Sequence, residues 1–351
     1  MSARRKKKQV HKRLPKRMLY TLLGLALFII VVLFVAYPIL FTHSAGDATI
    51  RIPANATEHN VADTLSKYCG DSFSRQVMRL AKLRNVDFSK RHGAYLLPAG
   101  SNPLSAFRRL GYGGQTPVKL TVNGFRSLDL LCERIASRLD FPADSLKAYL
   151  ADPENLKAYG LKPSQALALF LDDTYEVYWS ASPEELVNKI GKNYLNYWYE
   201  SDNSKKVAEM GITPADAMIL ASLADEETNA KSEKGTIARL YLNRLKKNMR
   251  LQSDPTVRFA LNDFTIRRVK GEHLKVNSPY NTYQNAGLPP GPIRTTSRAT
   301  LNAFIDSTPN DYLYMCAKED FSGTHNFATT FAEHSQNARR YRQALNERGI
   351  R

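Results

Sequence analysis

The chain has 351 residues, 43% of them hydrophobic, which is ordinary for globular protein and long enough for two or three domains. Its formal net charge of +17 first suggests a nucleic-acid binder, but nine of those charges fall within residues 1–17, which hold no acid. The basic excess is largely a terminal arm. With no zinc-finger, helix-turn-helix or RNA-binding signature elsewhere, nucleic acid is excluded as an expected partner.

Directly behind the basic arm (1–17), residues 18–41 carry no charged side chain, and about 20 apolar residues suffice to cross a bilayer. A cleaved signal peptide fits poorly, because the apolar run is too long and no small-x-small site follows. The positive-inside rule keeps the arm cytoplasmic, against anionic head groups, and places everything after about Thr42 outside. Tyr20 and Tyr37 lie near the two ends, as interfacial aromatics do. The expectation is a single-pass transmembrane helix in the cell inner membrane, with a periplasmic or otherwise extracytoplasmic remainder. Cys69, Cys132 and Cys316 are widely spaced, without metal-ligand spacing, and fit one disulfide or three thiols equally.

Residues 42–114 read as a small unit. Ala48–Pro53 alternates as a strand, Val61–Cys69 and Phe73–Leu83 are amphipathic helices, Arg91–Pro98 is a turn into a strand, and Pro103–Leu110 is helical. Gly111–Gly114 is the best linker by composition. A larger unit, 115–351, opens with the alternating strand Val118–Val122, an Asn123-Gly124 turn and a helix capped by Ser127 through Arg138. Helices are expected over Ala143–Ala151 and Pro183–Tyr199. Leu169–Trp179 between them reads as a half-buried strand with aromatic packing.

The most informative stretch begins at Thr213, a candidate N-cap with Pro214 at the first helical position and Asp216 at the third. The run Ala217–Ala224 is almost wholly apolar and predicts a buried helix. Asp225, Glu226 and Glu227 close it, each turned about 100° from the last, so they face three ways. Glu227 continues the stripe of Leu223 and Leu220. There desolvation raises a carboxyl pKa and favours a protonated general acid, with Asp225 close behind as a candidate. A solvated helix end is the plainer reading, although acids at a helix C-terminus oppose its dipole. A second helix is expected from about Ser232 to Lys247. Arg244 lies in its apolar stripe, either reaching out to water or pointing its charge toward the acids. Met249–Val257 reads as a polar turn stiffened by Pro255.

Farther on, Arg258–Lys275 is a basic face, most simply a solvated one, though suited also to an anionic partner. Gly287–Ile293 must be a fixed loop, since its three prolines exclude a helix interior or a central strand. Tyr312–Ala317 reads as a buried strand and His325–Phe327 as another, with His325 more simply a satisfied core residue than a base. Thr330–Glu347 is a basic helix.

These residues carry a resemblance. ASLADEETNAKSEKGTIARLYLNRL, followed by MRLQSDPTV, closely resembles the signature of the YceG-like, or MltG-type, endolytic peptidoglycan transglycosylases, which usually reads ASI(V/I)EKET, INRL and MRLQ(S/T)DPT. SPYNTYQNAGLPPGPI matches a further motif. GTHNFATTFAEHSQN resembles a last one, with Ser335 where Asn is usual. The likeness spans about Ile50 to the C-terminus, most strongly from Asp216 onward.

The resemblance implies an α+β fold: one N-terminal transmembrane helix, a small LysM-like β-α-α-β domain and a larger mixed α+β catalytic domain. It implies a lyase that cuts the MurNAc–GlcNAc bond inside peptidoglycan glycan strands and leaves a 1,6-anhydroMurNAc end. No cofactor and no metal would be needed, and peptidoglycan synthases would be partners. Position by position, Glu227 corresponds to the family's catalytic glutamate. Glu226 stands where Lys is usual, which would add negative charge beside the acid and raise its pKa further. Asp172 stands where proline is usual in F-x-P-D-T-Y, so a less rigid backbone is expected there. Candidates for holding the sugar are Gln252, Asp254, Thr256, Tyr280, Asn281, Tyr283, Asn326, Asp173 and Tyr175, with Asp254 more simply a turn cap than a second catalytic carboxylate. The competing readings are a hydrolytic muramidase and a non-catalytic peptidoglycan-binding scaffold.

Overall fold

The computed structural model describes residues 15–266 and 268–349, so most of the basic arm, together with Arg267, lies outside the described residues. The fold is mixed α+β, divided into two compact units, Met1–Thr116 and Pro117–Arg351.

The first unit opens with α1 (Lys16–Phe41), 26 residues long and without a buried side chain. At 1.5 Å per residue it extends ~39 Å, longer than the roughly 30 Å hydrocarbon core of a bilayer. Its apolar flanks are left for a non-aqueous surrounding, as a membrane-crossing helix requires. The folded part pairs β1 (Ala48–Ile52) antiparallel with β2 (Gly93–Leu97), Ile50 opposite Tyr95. Alternation points Ala48, Ile50 and Ile52 inward. They meet Val61 and Leu65 of α2 (Glu58–Cys69), Phe73 and Val77 of α3 (Asp71–Leu83), and Phe107 and Leu110 of α4 (Pro103–Tyr112). A Thr57–Asn60 capping box starts α2.

The second unit pairs β3 (Val118–Val122) antiparallel with β4, which is limited to Asp173–Val177. The helices α5 (Leu128–Ala136), α6 (Ala143–Ala151) and α7 (Pro153–Lys157) lie between them in sequence. Trp179 is buried beyond the strand, while Tyr178 is exposed. The long helix expected over 183–199 is α8 (Pro183–Leu195) followed by a wider π turn, Asn196–Glu200. Next come α9 (Asn203–Glu209), α10 (Pro214–Glu227) and α11 (Lys234–Lys246). Thr213 and Asp216 form the expected capping box of α10. Ten of the helix's fourteen residues are buried, so it is the centre of the unit rather than an amphipathic surface helix.

Two corrections concern the segments around α10. Asp254–Val257 is not a free turn but the start of α12 (Asp254–Ala260), with Pro255 in its first turn, where a missing N–H costs nothing. The sequence reading also passed over α13 (Arg298–Ile305), capped by Ser297, whose Leu301, Phe304 and Ile305 pack into the core. Gly235 lets α11 approach α13, because a Cβ there would stand 2.1 Å from the Ala303 carbonyl oxygen. The Gly287–Ile293 loop is fastened to α10 by the Ile293 N–H donating to Ser222 Oγ at 3.1 Å. β5 (Tyr314–Ala317) and β6 (His325–Ala328) form a half-buried hairpin, and α14 (Phe331–Glu347) packs on it. The three cysteines are free thiols.

Asp172 corrects the expectation of a looser backbone. Its carboxylate accepts from the Gly124 N–H at 2.9 Å and from Thr295 Oγ1 at 2.5 Å, and its own N–H donates to the Thr296 carbonyl. The side chain ties three segments where proline would have stiffened one.

Candidate active site

The three acids ending α10 take three surroundings, as their angular spacing requires. Asp225, 7% exposed, accepts from Lys234 Nζ at 2.5 Å, Thr296 Oγ1 at 2.8 Å and Thr300 Oγ1 at 2.7 Å. It joins α10 to α11 and α13, and its oxygens are occupied in doing so. Glu226 is held by Arg126 at 2.8 Å and Arg294 at 2.9 Å. Two guanidinium groups neutralise it. The negative charge expected to act on Glu227 from this position is offset by those ion pairs, and adjacent residues on a helix point apart.

Glu227 opens onto a cleft of about 380 Å³. Tyr241 Oη donates to Glu227 Oε1 at 2.5 Å, and Ser253 Oγ donates to the same oxygen at 2.7 Å. Among the described residues no donor reaches Oε2. Burial pushes the Glu227 carboxyl above its ordinary value, against the opposing pull of those two hydroxyls, while Asp254 reinforces the rise. His325, whose backbone N–H and Nδ1 are held by the Glu233 carboxylate, opposes the rise weakly. Burial also raises the Tyr241 phenol well above its usual range, so it stays a donor. One oxygen is thus saturated while the other is left for a proton.

Arg244 is 7% exposed and neither reaches water nor pairs with an acid. Its guanidinium donates to the Arg250 carbonyl at 3.0 and 2.7 Å, to the Leu313 carbonyl at 2.9 Å and to Gln252 Oε1 at 2.6 Å. This grip holds Gln252 at a φ of +52°, a left-handed conformation uncommon for a side chain of its size. With its carbonyl taken, the Gln252 amide presents its N–H groups at the cleft.

Of the sugar-holding candidates, Gln252, Asp254 and Tyr283 border the Glu227 cleft. Tyr283 Oη donates to Asp254 Oδ1 at 2.6 Å, linking the loop to the first turn of α12. The others stand elsewhere. Thr256 is fully buried, bonded to the Ser253 carbonyl and Thr282 Oγ1. Asn281 is fully buried, donating to the Leu274 and Val276 carbonyls. Tyr280 packs on Phe259. Asn326 donates to Glu319. Tyr175 is a core residue donating to the Leu171 carbonyl, and Asp173 borders a different cleft beside Lys189 and Asn193. None of these lines the Glu227 cleft: Thr256 and Asn281 satisfy nearby backbone carbonyls, Asp173, Tyr175 and Asn326 lie on strands, and Tyr280 packs on a ring.

Two residues in direct contact with Glu227 escaped the sequence reading. Tyr241 lies among the buried apolar residues of α11 and looks like one of them in the sequence, yet a buried phenol needs a hydrogen-bond partner. Ser253 passed as one more turn residue, and only its zero exposure marks it. His334 also borders the cleft, stacked on Tyr314 with ring centroids 5.4 Å apart, and its buried Nδ1 has no partner among the described residues.

Comparison with known proteins bears on this arrangement. The chain is 40% identical over 169 residues to a Bacillus subtilis (strain 168) endolytic murein transglycosylase, covering 48% of this chain and 45% of that protein. It is 25% identical over 323 residues to an endolytic murein transglycosylase of Streptococcus pneumoniae (strain ATCC BAA-255 / R6), covering 82% and 57%. The chain thus spans about half the length of the curated relatives it matches. A 2.6 Å crystal structure of a yceG-like protein from Listeria monocytogenes superposes with a TM-score of 0.52 at 26% identity, over 84% of this chain and 99% of that one. The model of the YceG-like family matches residues 50–340, a span that holds Glu227, its two hydroxyl donors and the cleft they border, and the chain belongs to that family.

Proposed function

We propose that this chain is a membrane-anchored endolytic murein transglycosylase, a carbon–oxygen lyase cutting the MurNAc–GlcNAc bond within glycan strands and so limiting their elongation. The observation that carries the reading is the Glu227 carboxyl, desolvated and with one oxygen filled by Tyr241 and Ser253. The relatives' shared description as endolytic murein transglycosylases supports it.

Protonated Glu227 gives its proton to the oxygen between MurNAc and GlcNAc as the bond from that oxygen to MurNAc C1 breaks. The MurNAc C6 hydroxyl attacks C1, its proton returns to the Glu227 carboxylate, and the product ends in a 1,6-anhydro ring. No water enters the bond. The attacking oxygen belongs to the same sugar, which gives it a high effective concentration. The Tyr241 and Ser253 hydroxyls stabilise the carboxylate between the two transfers, and the Gln252 amide and Tyr283 orient N-acetyl and hydroxyl groups.

In this reading α1 is a single span of the inner membrane with its basic arm cytoplasmic, and the two folded units are extracytoplasmic. The small unit is LysM-like and holds glycan or lifts the larger unit off the bilayer. Synthases that extend the strands are natural partners. Asp254 is a second carboxylate in the same cleft and favours one alternative, hydrolysis with Asp254 assisting. Digestion of purified glycan strands with the full chain in detergent, read by mass spectrometry, distinguishes the two by one water. The Glu227→Gln variant is expected to form no anhydro-ended product. Normal anhydro product from that variant would overturn the assignment.

A further inference from the structure

A second cleft, of about 750 Å³, adjoins the first. Both are bordered by Phe331 and His334, one turn apart on the same face of α14. β5 continues from one to the other, with Tyr314 and Met315 beside the Glu227 cleft and Cys316 and Ala317 beside the second. A ligand lying along β5 can therefore reach from the Glu227 cleft past His334 and Phe331 into the second.

The second compartment has a chemistry of its own. Arg268 and Arg342 stand at its wall with Tyr341, and none of its lining residues is acidic. Arg342 gives Nε to the Ala338 carbonyl of its own helix, and no bond among the described residues engages its terminal nitrogens. Arg268 makes no hydrogen bond or ion pair with any described residue. The nearby acid Glu319 is already held by Arg340 at 3.0 Å and by Asn326. Two uncommitted guanidinium groups beside aromatic surface suit a flexible ligand carrying carboxylates and short apolar side chains.

We propose that this second cleft binds the carboxylate-bearing peptide stem of the sugar held beside Glu227. The proposal rests on the murein reading above, since the lactyl group of MurNAc is where such a stem is attached. Charge complementarity and the continuity of the two clefts along β5 single out this occupant.

The test uses the full chain in detergent carrying Glu227→Gln, titrated with a disaccharide tetrapeptide and with the same disaccharide lacking its stem. The stem-bearing ligand is expected to bind about tenfold more tightly at low salt, as two partly exposed ion pairs allow. That advantage should largely vanish at high salt and in the added Arg268→Gln/Arg342→Gln double substitution. Equal binding of the two ligands, no binding of either, or an advantage surviving the double substitution overturns the proposal. Failure of the murein reading has a different signature: stem-selective binding persists, but the unsubstituted chain makes no anhydro-ended product from glycan strands.

Discussion

The two folded units differ in what they bury. Among the described residues, the small unit buries the polar side chains of Ser44, Ser74 and Gln76 and no Asp, Glu, Lys, Arg or His, around a core of Ile50, Leu65, Phe73 and their neighbours. The larger unit buries Asp225, Glu233, Arg239 and Arg244, besides serines and threonines whose hydroxyls are all engaged near α10. Sequestering polar groups from water is unfavourable unless each is paired, so a fold accumulates them only where their geometry is needed. The larger unit therefore concentrates paired, sequestered charge around α10, while the core of the smaller one is almost wholly apolar.

The sharpest way to break that contrast is Glu227→Gln, expected to lower strand cleavage by about 100-fold to 10,000-fold with the fold retained, as read by product assay and circular dichroism. Leu65→Ala in the small unit is expected to lower stability by about 2–5 kcal/mol. Hydrogen exchange should report lost protection in α2, α3 and the β1–β2 pair; equal loss around α10 would merge the two units into one cooperative block and void the contrast. Glu226→Lys, which installs the residue usual in the family, places a third cation between Arg126 and Arg294. It should destabilise by about 2–4 kcal/mol in denaturant titration while leaving the pH profile of cleavage in place.

The subtlest test is of pH. In the proposed mechanism cleavage needs protonated Glu227, so activity should fall as pH rises through its raised pKa. Tyr241→Phe removes a donor that favours the carboxylate, so the alkaline limb should move to higher pH. A limb moving lower would mean the phenol is not bonded to the ionised acid. Stability should follow the same linkage. A carboxyl whose folded pKa lies above its ordinary 4.5 contributes fully below that value and loses its contribution as pH rises through the folded pKa. Glu227→Gln should therefore gain in Tm relative to the unsubstituted chain as pH is raised.

Much of the local structure was legible in the chain. The Thr213–Asp216 cap, the β1 alternation and the apolar N-terminal helix depend on neighbours within a few residues, and propensity and periodicity carry that information. The DPTV segment was misread because a proline in the first turn of a helix and a proline in a loop look alike until the following residues find a packing partner. The sugar-holding candidates scattered because a Thr, Asn or Tyr in a polar loop can face outward or bind its own backbone, and composition does not distinguish the two.

By itself the sequence determined that Asp225, Glu226 and Glu227 close a buried helix facing three ways, because helical rotation is a local property. Only the tertiary structure decided what each would meet: Lys234 and two threonines for the first, two arginines for the second, and two hydroxyls at the edge of a cleft for the third. Those partners come from segments as far as 100 residues away in the chain. A carboxyl's proton affinity is set by the desolvation and charge that such segments bring to it, which no local pattern encodes.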